Sequence, residues 1–384
     1  MFANNQKIAV QQLYTLCLFY FFNTTLLFLP SEIVLQVKES SGFVVLFWCA
    51  VSVLLAYFLL YVGKTIPEFT AIEWYTHTFG QWFGKLIGGF LIFTLLFYGA
   101  LELRIFSEII IGYLLPKTPL LLVLALFGIS IYYSASRGIE TMGRVSEILA
   151  FFVILPFAVI LISVLLSLGG DYSRILPMTM PSAEQLSQGG AIFSPMFQGL
   201  LLLLFVFPYL EEQKKHVRGV ALLTLVMGGV VLLVLFLNLG VYGYEVLGKK
   251  LLPTLQMMER VSFSGIFLTR QDSFFLWFWF ASTVIFLSGM VFFATTGAIS
   301  ICNRESVADQ TSEAIDNETD YIKKHKLPTA VATLIVILLA WLPKDLSVTY
   351  VIRNTLVPWC NGVFLFVLPC ICLFIEKIKR GVRK

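Results

Sequence analysis

The sequence predicts an all-α polytopic membrane protein of about ten transmembrane helices in two groups of five. The second group is inverted relative to the first, and helices one and six are broken. Three observations carry this. Of the 384 residues, 58% are hydrophobic and 13% charged, against roughly 45–50% and about 25% in soluble domains. Apolar runs long enough to cross about 30 Å of hydrocarbon recur along the whole length. Two of them, FYFFNTTLLFLP near the start and AIFSPMFQGLLLLLF near the middle, are interrupted in mid-run. A broken helix frees backbone N–H and C=O groups at membrane depth, where they are tolerated only against protein, water or a ligand.

Length and punctuation put the spans at about 8–30, 41–62, 85–114, 119–135, 145–168, 190–210, 218–241, 273–299, 327–343 and 355–375. The first follows Lys7 and resembles a signal peptide, but it exceeds the usual apolar core and lacks a small-residue cleavage site, so it is expected to persist as a span. Ten spans divide into five and five, and each group opens on an interrupted run. Five crossings reverse the chain, so a second repeat at about 190–375 inverts the first at about 8–168. Both lie in one integral domain covering 1–384, which closes with a basic tail at 376–384. This is the plan of many secondary transporters, whose binding sites lie at such breaks. No residue-level repeat accompanies it.

Charge sets the orientation. With the N-terminus inside, 17 of the 27 Lys and Arg fall on the inner side and nine on the outer, with Arg104 inside a span. The bias predicts cytoplasmic termini. Lys377, Lys379, Arg380, Arg383 and Lys384 supply much of the formal +4, a juxtamembrane pattern rather than the basic face of a nucleic-acid binder. Cys17, Cys49, Cys302, Cys360, Cys370 and Cys372 sit in or beside apolar runs without ligand spacing. They read as packing residues, and no metal site or cofactor is expected. His77, His216 and His325 fall in inner-side loops, and no P-loop, HExxH or GxSxG occurs, so the chain is not expected to be an enzyme. The outer connection at 242–272 reads as a short helix packed laterally or lying on the membrane surface. The inner one at 303–326, acidic and then basic, reads as a solvated charged loop.

Four places hold candidate ligand-binding residues. In the first interrupted run Asn23, Thr24 and Thr25 hydrogen-bond local backbone and compete with the helix. In the sixth, Pro195 removes a donor and Gly199 allows close approach, which sets Ser194, Gln198 and Leu200 beside either a break or a simple kink. The third span carries Tyr98, Glu102, Arg104 and Glu108. Arg104 and Glu108 are four apart and pair on one face, whereas Glu102 either faces a cavity or proton path, or joins an Arg104-centred ion pair near the outer surface through another helix. In the eighth, Ser282, Thr283, Ser288, Thr295 and Thr296 read mainly as close-packing residues, with Thr295 a candidate lining the site.

LLPKTPLLL (Leu114–Leu122), SRGIETMGRVSEIL (Ser136–Leu149) and RQDSFFLWFWF (Arg270–Phe280), in this order among ten spans and two breaks, resemble the B subunit of bacterial spore germinant receptors. That family is a branch of the amino acid/polyamine/organocation permease superfamily. Two stretches depart from its pattern: VKESSGFVV replaces an acidic residue and a Trp after span one, and Leu200 and Leu201 stand where an acidic residue commonly follows the glycine. The resemblance implies a LeuT-type fold and recognition of a small germinant such as an amino acid, in the inner membrane of a dormant spore. It also implies an A-type membrane subunit and a lipoprotein C subunit as partners. An ion- or proton-coupled amino acid permease of the same fold, and a scaffold subunit without a ligand, are the alternatives.

Overall fold

The computed structural model describes residues 6–167, 173–211, 217–260, 271–303, 306–316 and 318–382. A few side chains within these stretches, Thr24 and Thr25 among them, lie outside the description. The described secondary structure is helical, apart from one bridge between Ile8 and Leu210.

Helix α1 (Val10–Thr25) stops at the polar triplet, a turn covers 26–28, and α2 (Leu29–Val37) restarts with Pro30 in its first turn, where a missing N–H costs nothing. Then come α3 (Ser41–Thr65), α4 (Ala71–Phe79), α5 (Gln81–Tyr113), α6 (Leu120–Ser136) and α7 (Ile139–Ser167). The sixth run begins as α8 (Ala183–Phe193), with Ser182 as its cap accepting from the Gln185 amide. At Pro195 the coil tightens into 3₁₀ turns over Ser194–Phe197, loosens to the four-residue α9 (Gln198–Leu201), and tightens again over Leu202–Leu204 and Phe207–Tyr209. Helix α10 (Gly219–Leu247) kinks at Gly243, whose φ is 68°. The chain continues through α11 (Pro253–Arg260), α12 (Gln271–Asn303), α13 (Val307–Asp316), α14 (Glu318–Trp341), α15 (Leu346–Asn361), a π-helical segment Gly362–Val367, and α16 (Leu368–Val382).

Among the described residues, seven helical stretches are long and apolar enough to cross a membrane. With the shorter apolar α6 and the two broken segments they account for the expected ten. The chain is a multi-pass membrane protein.

Packing shows how the two groups relate. Phe21 lies against Gly199 and Ile33 against Gly189, so the first and sixth segments run antiparallel there, while at one end the extended residues Ile8 and Leu210 meet in a parallel bridge. Gly42 meets Phe236 and Gly228 meets Cys49, making α3 and α10 antiparallel too. Gly88 meets Ile301, Gly99 meets Leu287, and the Phe106 ring lies 4.6 Å from Trp279, so α5 and α12 also oppose each other. Members five spans apart therefore run in opposite directions, as inversion requires. Helix α12 is the hub: it packs on α1, α5, α6, α7 and α14, and its apolar window is 78% buried, against 33% for peripheral α7.

The solvated loop expected at 303–326 is corrected. It holds α13 and the start of α14, with Gln310, Tyr321 and His325 buried. His325 stacks on Tyr321 at 4.0 Å, and its Nδ1 and Nε2 lie 2.9 and 3.3 Å from Tyr321 O and Gln310 Oε1. Charge counting missed this because it reports residues such as Asp309, Asp320, Lys323 and Lys326, which are exposed on these helices, and not the buried face beneath them. His77 is likewise helical, in α4, and His216 lies outside the described residues. Residues 253–260 form α11, whose Leu255, Met257 and Met258 are buried, in agreement with lateral packing. Helix α16 runs on through 376–382, and Lys379 donates to Thr78 O of α4 at 3.3 Å.

Candidate ligand-binding site

Where α1 stops, carbonyls lose their helical partners, and neighbouring helices supply new ones. Trp279 Nε1 of α12 donates to Asn23 O at 3.3 Å, and Thr254 Oγ1 of α11 donates to Leu26 O at 2.9 Å. The Asn23 side chain, 3% exposed, accepts from Thr283 Oγ1 at 2.6 Å, while its Nδ2 is buried without a hydrogen-bond partner. Thr24 and Thr25 were candidates; their side chains lie outside the description.

The second break is held differently. Asn361, at the end of α15, donates through Nδ2 to Ser194 O at 2.9 Å and lies 3.0 Å from Ser194 Oγ. Its Oδ1 accepts from Tyr98 OH at 2.8 Å. One amide thus links the third, sixth and tenth segments. Gln198 is 1% exposed, and its Oε1 has no hydrogen-bond partner. Gly199 is required by contact, since a Cβ there would lie 2.6 Å from Phe21 Cδ1. Leu200 is fully buried. Because α9 has only four residues between 3₁₀ turns, no half-helix with a developed dipole begins at Gln198.

Tyr98 and Glu102 share one face of α5 and both meet α15. Arg353 Nε lies 3.3 Å from Glu102 Oε1, without the alignment of a hydrogen bond, and its guanidinium sits 5.9 Å from the Phe28 ring. Arg104 pairs with Glu108 at 2.7 Å and donates to Ala340 O and Lys344 O. Glu102 is thus paired with Arg353 of α15 and stands apart from the Arg104–Glu108 pair. Thr295 is buried with its Oγ1 unpartnered. It lies twelve residues beyond Thr283, about 18 Å along the helix, and is not brought to the Asn23 cluster.

The polar link opens onto space. A cavity of about 640 Å³ lies between α3, the sixth segment and α15. Trp48, Val51, Leu186, Phe197 and Phe366 form apolar walls, and Ser187, Ser194 and Asn361 are its polar members. The π-helical segment after Pro358 contributes Gly362 and Phe366, a local widening frequent at functional sites. A smaller cavity of about 310 Å³ lies beside α4, lined by Glu73, His77, Lys85 and Ser306 among others. Burial pushes the Glu73 carboxyl up, opposed by hydrogen bonds from Thr70 and the Val307 amide.

Sequence reasoning missed Asn361 and Arg353. RNTLVPWCNG places Arg353 and Asn361 eight apart, close to two turns on one helix face. That spacing was the available signal.

A family model described as "Spore germination protein" matches residues 7–305. The chain belongs to the spore germination protein family. Relatives in this family include the spore germination protein YndE of Bacillus subtilis (strain 168), 24% identical over 73% of this chain and 77% of that protein. Spore germination protein KB of the same organism is 22% identical over 70% of this chain and 72% of its own length. Among solved structures, the crystal structure of MhsT in complex with L-phenylalanine gives a TM-score of 0.47 at 15% identity, covering 94% of this chain and 97% of that one. Spore germination family membership and multi-pass architecture together make this a germination-related membrane protein.

Proposed function

We propose that this chain is the nutrient-sensing B subunit of a spore germinant receptor. In this reading it takes a small germinant, such as an amino acid, beside the break in its sixth segment. It acts in the inner membrane of the spore with an A-type membrane subunit and a lipoprotein C subunit, and both termini are cytoplasmic. One observation carries the reading: the cavity of about 640 Å³ that reaches Ser194 and Asn361, the latter hydrogen-bonded to Tyr98. Small-molecule sites span about 300–1,000 Å³ and combine apolar walls with a few convergent polar groups. Here Trp48 and Phe197 would hold an apolar side chain, and Ser194 and Asn361 would fix a polar end. Gln198, four residues on from Ser194, brings an unmet acceptor to the same segment.

A ligand bound to Ser194 and Asn361 favours one arrangement of the sixth segment against α15, and partner subunits that contact those elements read that bias. The test is the melting temperature of the purified chain across an amino acid panel. A ligand at a hundred times its Kd stabilises the folded state by about 2.7 kcal/mol. At least one amino acid is expected to raise the melting temperature, and Gln198→Leu or Asn361→Leu is expected to raise the nutrient concentration needed for germination. Unchanged dose-response curves in both variants, at normal protein levels, would remove this site. Ion-gradient-driven uptake of labelled amino acid into proteoliposomes would assign the chain to the permeases instead.

A further inference from the structure

The tenth segment holds two prolines in PWCNGVFLFVLP, Pro358 and Pro369, and between them its helix changes pitch. In an α-helix Pro369 offers no N–H to Leu365 O, and its ring crowds that carbonyl. The π-helical turn Gly362–Val367 ends just ahead of it, and its wider winding gives the ring room. A single π-turn inserts one extra residue into an α-helix. Relative to an unbroken continuation of α15, α16 is therefore set back by one residue, about 100° of rotation and 1.5 Å of rise.

Both sides of the turn are anchored. Ahead of it Asn361 ties Ser194 to Tyr98. Within it Phe366 lies 6.2 Å from the Phe197 ring and, with Gly362, lines the cavity of about 640 Å³. Beyond it one face of α16 packs on α4. Cys372 is fully buried, Glu376 Oε1 accepts from Nε1 of the fully buried Trp74 at 2.5 Å, and Lys379 donates to Thr78 O. Phe374 and Ile378, on the other face, are exposed. Helix α4 passes the tie on to α13, since Glu73 Oε1 accepts from the Val307 amide. Relaxing the π-turn to α would move Ile375 into the place of Glu376 and turn Phe366 off the cavity. The buried indole N–H would then lose its acceptor, a costly state for a donor cut off from water.

We propose that this π-turn is a register switch, which couples the cavity beside Ser194 to the α4 clasp about 20 Å further along the segment. The π register fits both the Phe366 wall and the Trp74–Glu376 bond, and the α register fits neither. An occupant of the cavity that rests on Phe366 therefore favours the π register and tightens the clasp, and by reciprocity the clasp favours the occupant. That the occupant is a germinant rests on the function proposed above. The coupling is a property of the chain itself and is tested without ligand.

The experiment is amide hydrogen exchange on the purified full chain in neutral detergent, with α10, which packs elsewhere on α3 and α1, as internal reference. Pro369→Ala removes the cause of the turn. It is expected to slow exchange through residues 362–369 about fivefold, the worth of one restored hydrogen bond, and to speed exchange in α4 by a similar factor. Asn361→Ala, at one end, is expected to speed exchange in α4, and Trp74→Phe, at the other, to speed it at 362–368, with α10 unchanged in each. If Pro369→Ala does not fold, the two end variants carry the same test. Exchange at 362–369 that is unchanged in Pro369→Ala would overturn the proposal. So would slower exchange there with α4 as in the wild type, or end variants whose changes stay at their own ends.

Discussion

The two breaks lie side by side and are built on opposite principles. The first is a three-residue turn whose freed carbonyls are taken up from outside, by Trp279 and Thr254 on other helices. The second never quite stops being helical. Its 3₁₀ turns keep most backbone bonds inside the segment; at Ser194 its external tie is the amide of Asn361, and only at its far end do Lys7 Nζ and the Ile8 amide donate to Pro208 O and Tyr209 O. Breaking an α-helix at membrane depth demands new partners for every freed group, whereas tightening it to 3₁₀ does not. The first break is therefore clamped by its surroundings. Around Ser194–Gln198 the second has fewer ties, and so has room there to respond to a ligand.

The largest effect is expected where the two breaks touch. Gly199→Leu drives a side chain into Phe21, whose ring atoms would already lie 2.6 Å from a Cβ. Overpacking of this kind costs about 3 kcal/mol or more when neither backbone yields. The expected outcome is loss of folded protein after detergent extraction. A variant that extracts and melts normally would show that the sixth segment moves aside easily, making it looser than the comparison says.

Thr254→Val comes next and probes the clamp. The hydroxyl bonds Leu26 O at 2.9 Å and accepts from Asn238 at 3.2 Å. Leaving such groups unmet in the interior costs about 2–3 kcal/mol. A lower melting temperature is expected, with little change in nutrient response among the molecules that still fold.

Asn361→Ala should reverse that pattern. Tyr98 keeps a second acceptor in Val357 O at 3.3 Å, so the stability loss is about 1–2 kcal/mol, while the germination dose-response shifts strongly. If Asn361→Ala destabilises more than Thr254→Val and leaves dose-response untouched, the second break is structural and the comparison fails.

Why the sequence disclosed the breaks so readily and their ties so poorly follows from the same chemistry. A polar triplet followed by proline, or a serine-proline inside an apolar run, violates helix rules locally and is visible in a dozen residues. The opposed pairing of spans five apart is legible too, because an odd number of crossings must invert direction. Asn361 and Arg353 break no local rule: each is one polar residue in an ordinary amphipathic helix, and only its partner, more than a hundred and fifty residues away, reveals its use. Thr283 shows the same blindness from the other side. Its hydroxyl also back-bonds Trp279 O at 2.8 Å, the usual fate of a membrane threonine, so nothing in the sequence marks its contact with Asn23. The helices at 307–316 and 318–326 were hidden by net charge, which reports exposed faces and not the buried His325.

Pro195→Ala is the mildest change and the sharpest test of how the second break is made. Proline fixes its own φ, so alanine enlarges the unfolded ensemble and costs about 0.4–1 kcal/mol. It also restores an N–H, and the Ser194–Phe197 turn gains a donor that can reach the last turn of α8; a net hydrogen bond contributes about 0.5–1.5 kcal/mol. The two effects nearly cancel, so the melting temperature should hardly move. Amide hydrogen exchange separates them, because a proline-imposed break relaxes toward α-helix and protection rises through residues 194–199. If protection is unchanged, the 3₁₀ geometry is set from outside by Asn361 and by the packing of Phe21 on Gly199, and both breaks are then clamped in the same way.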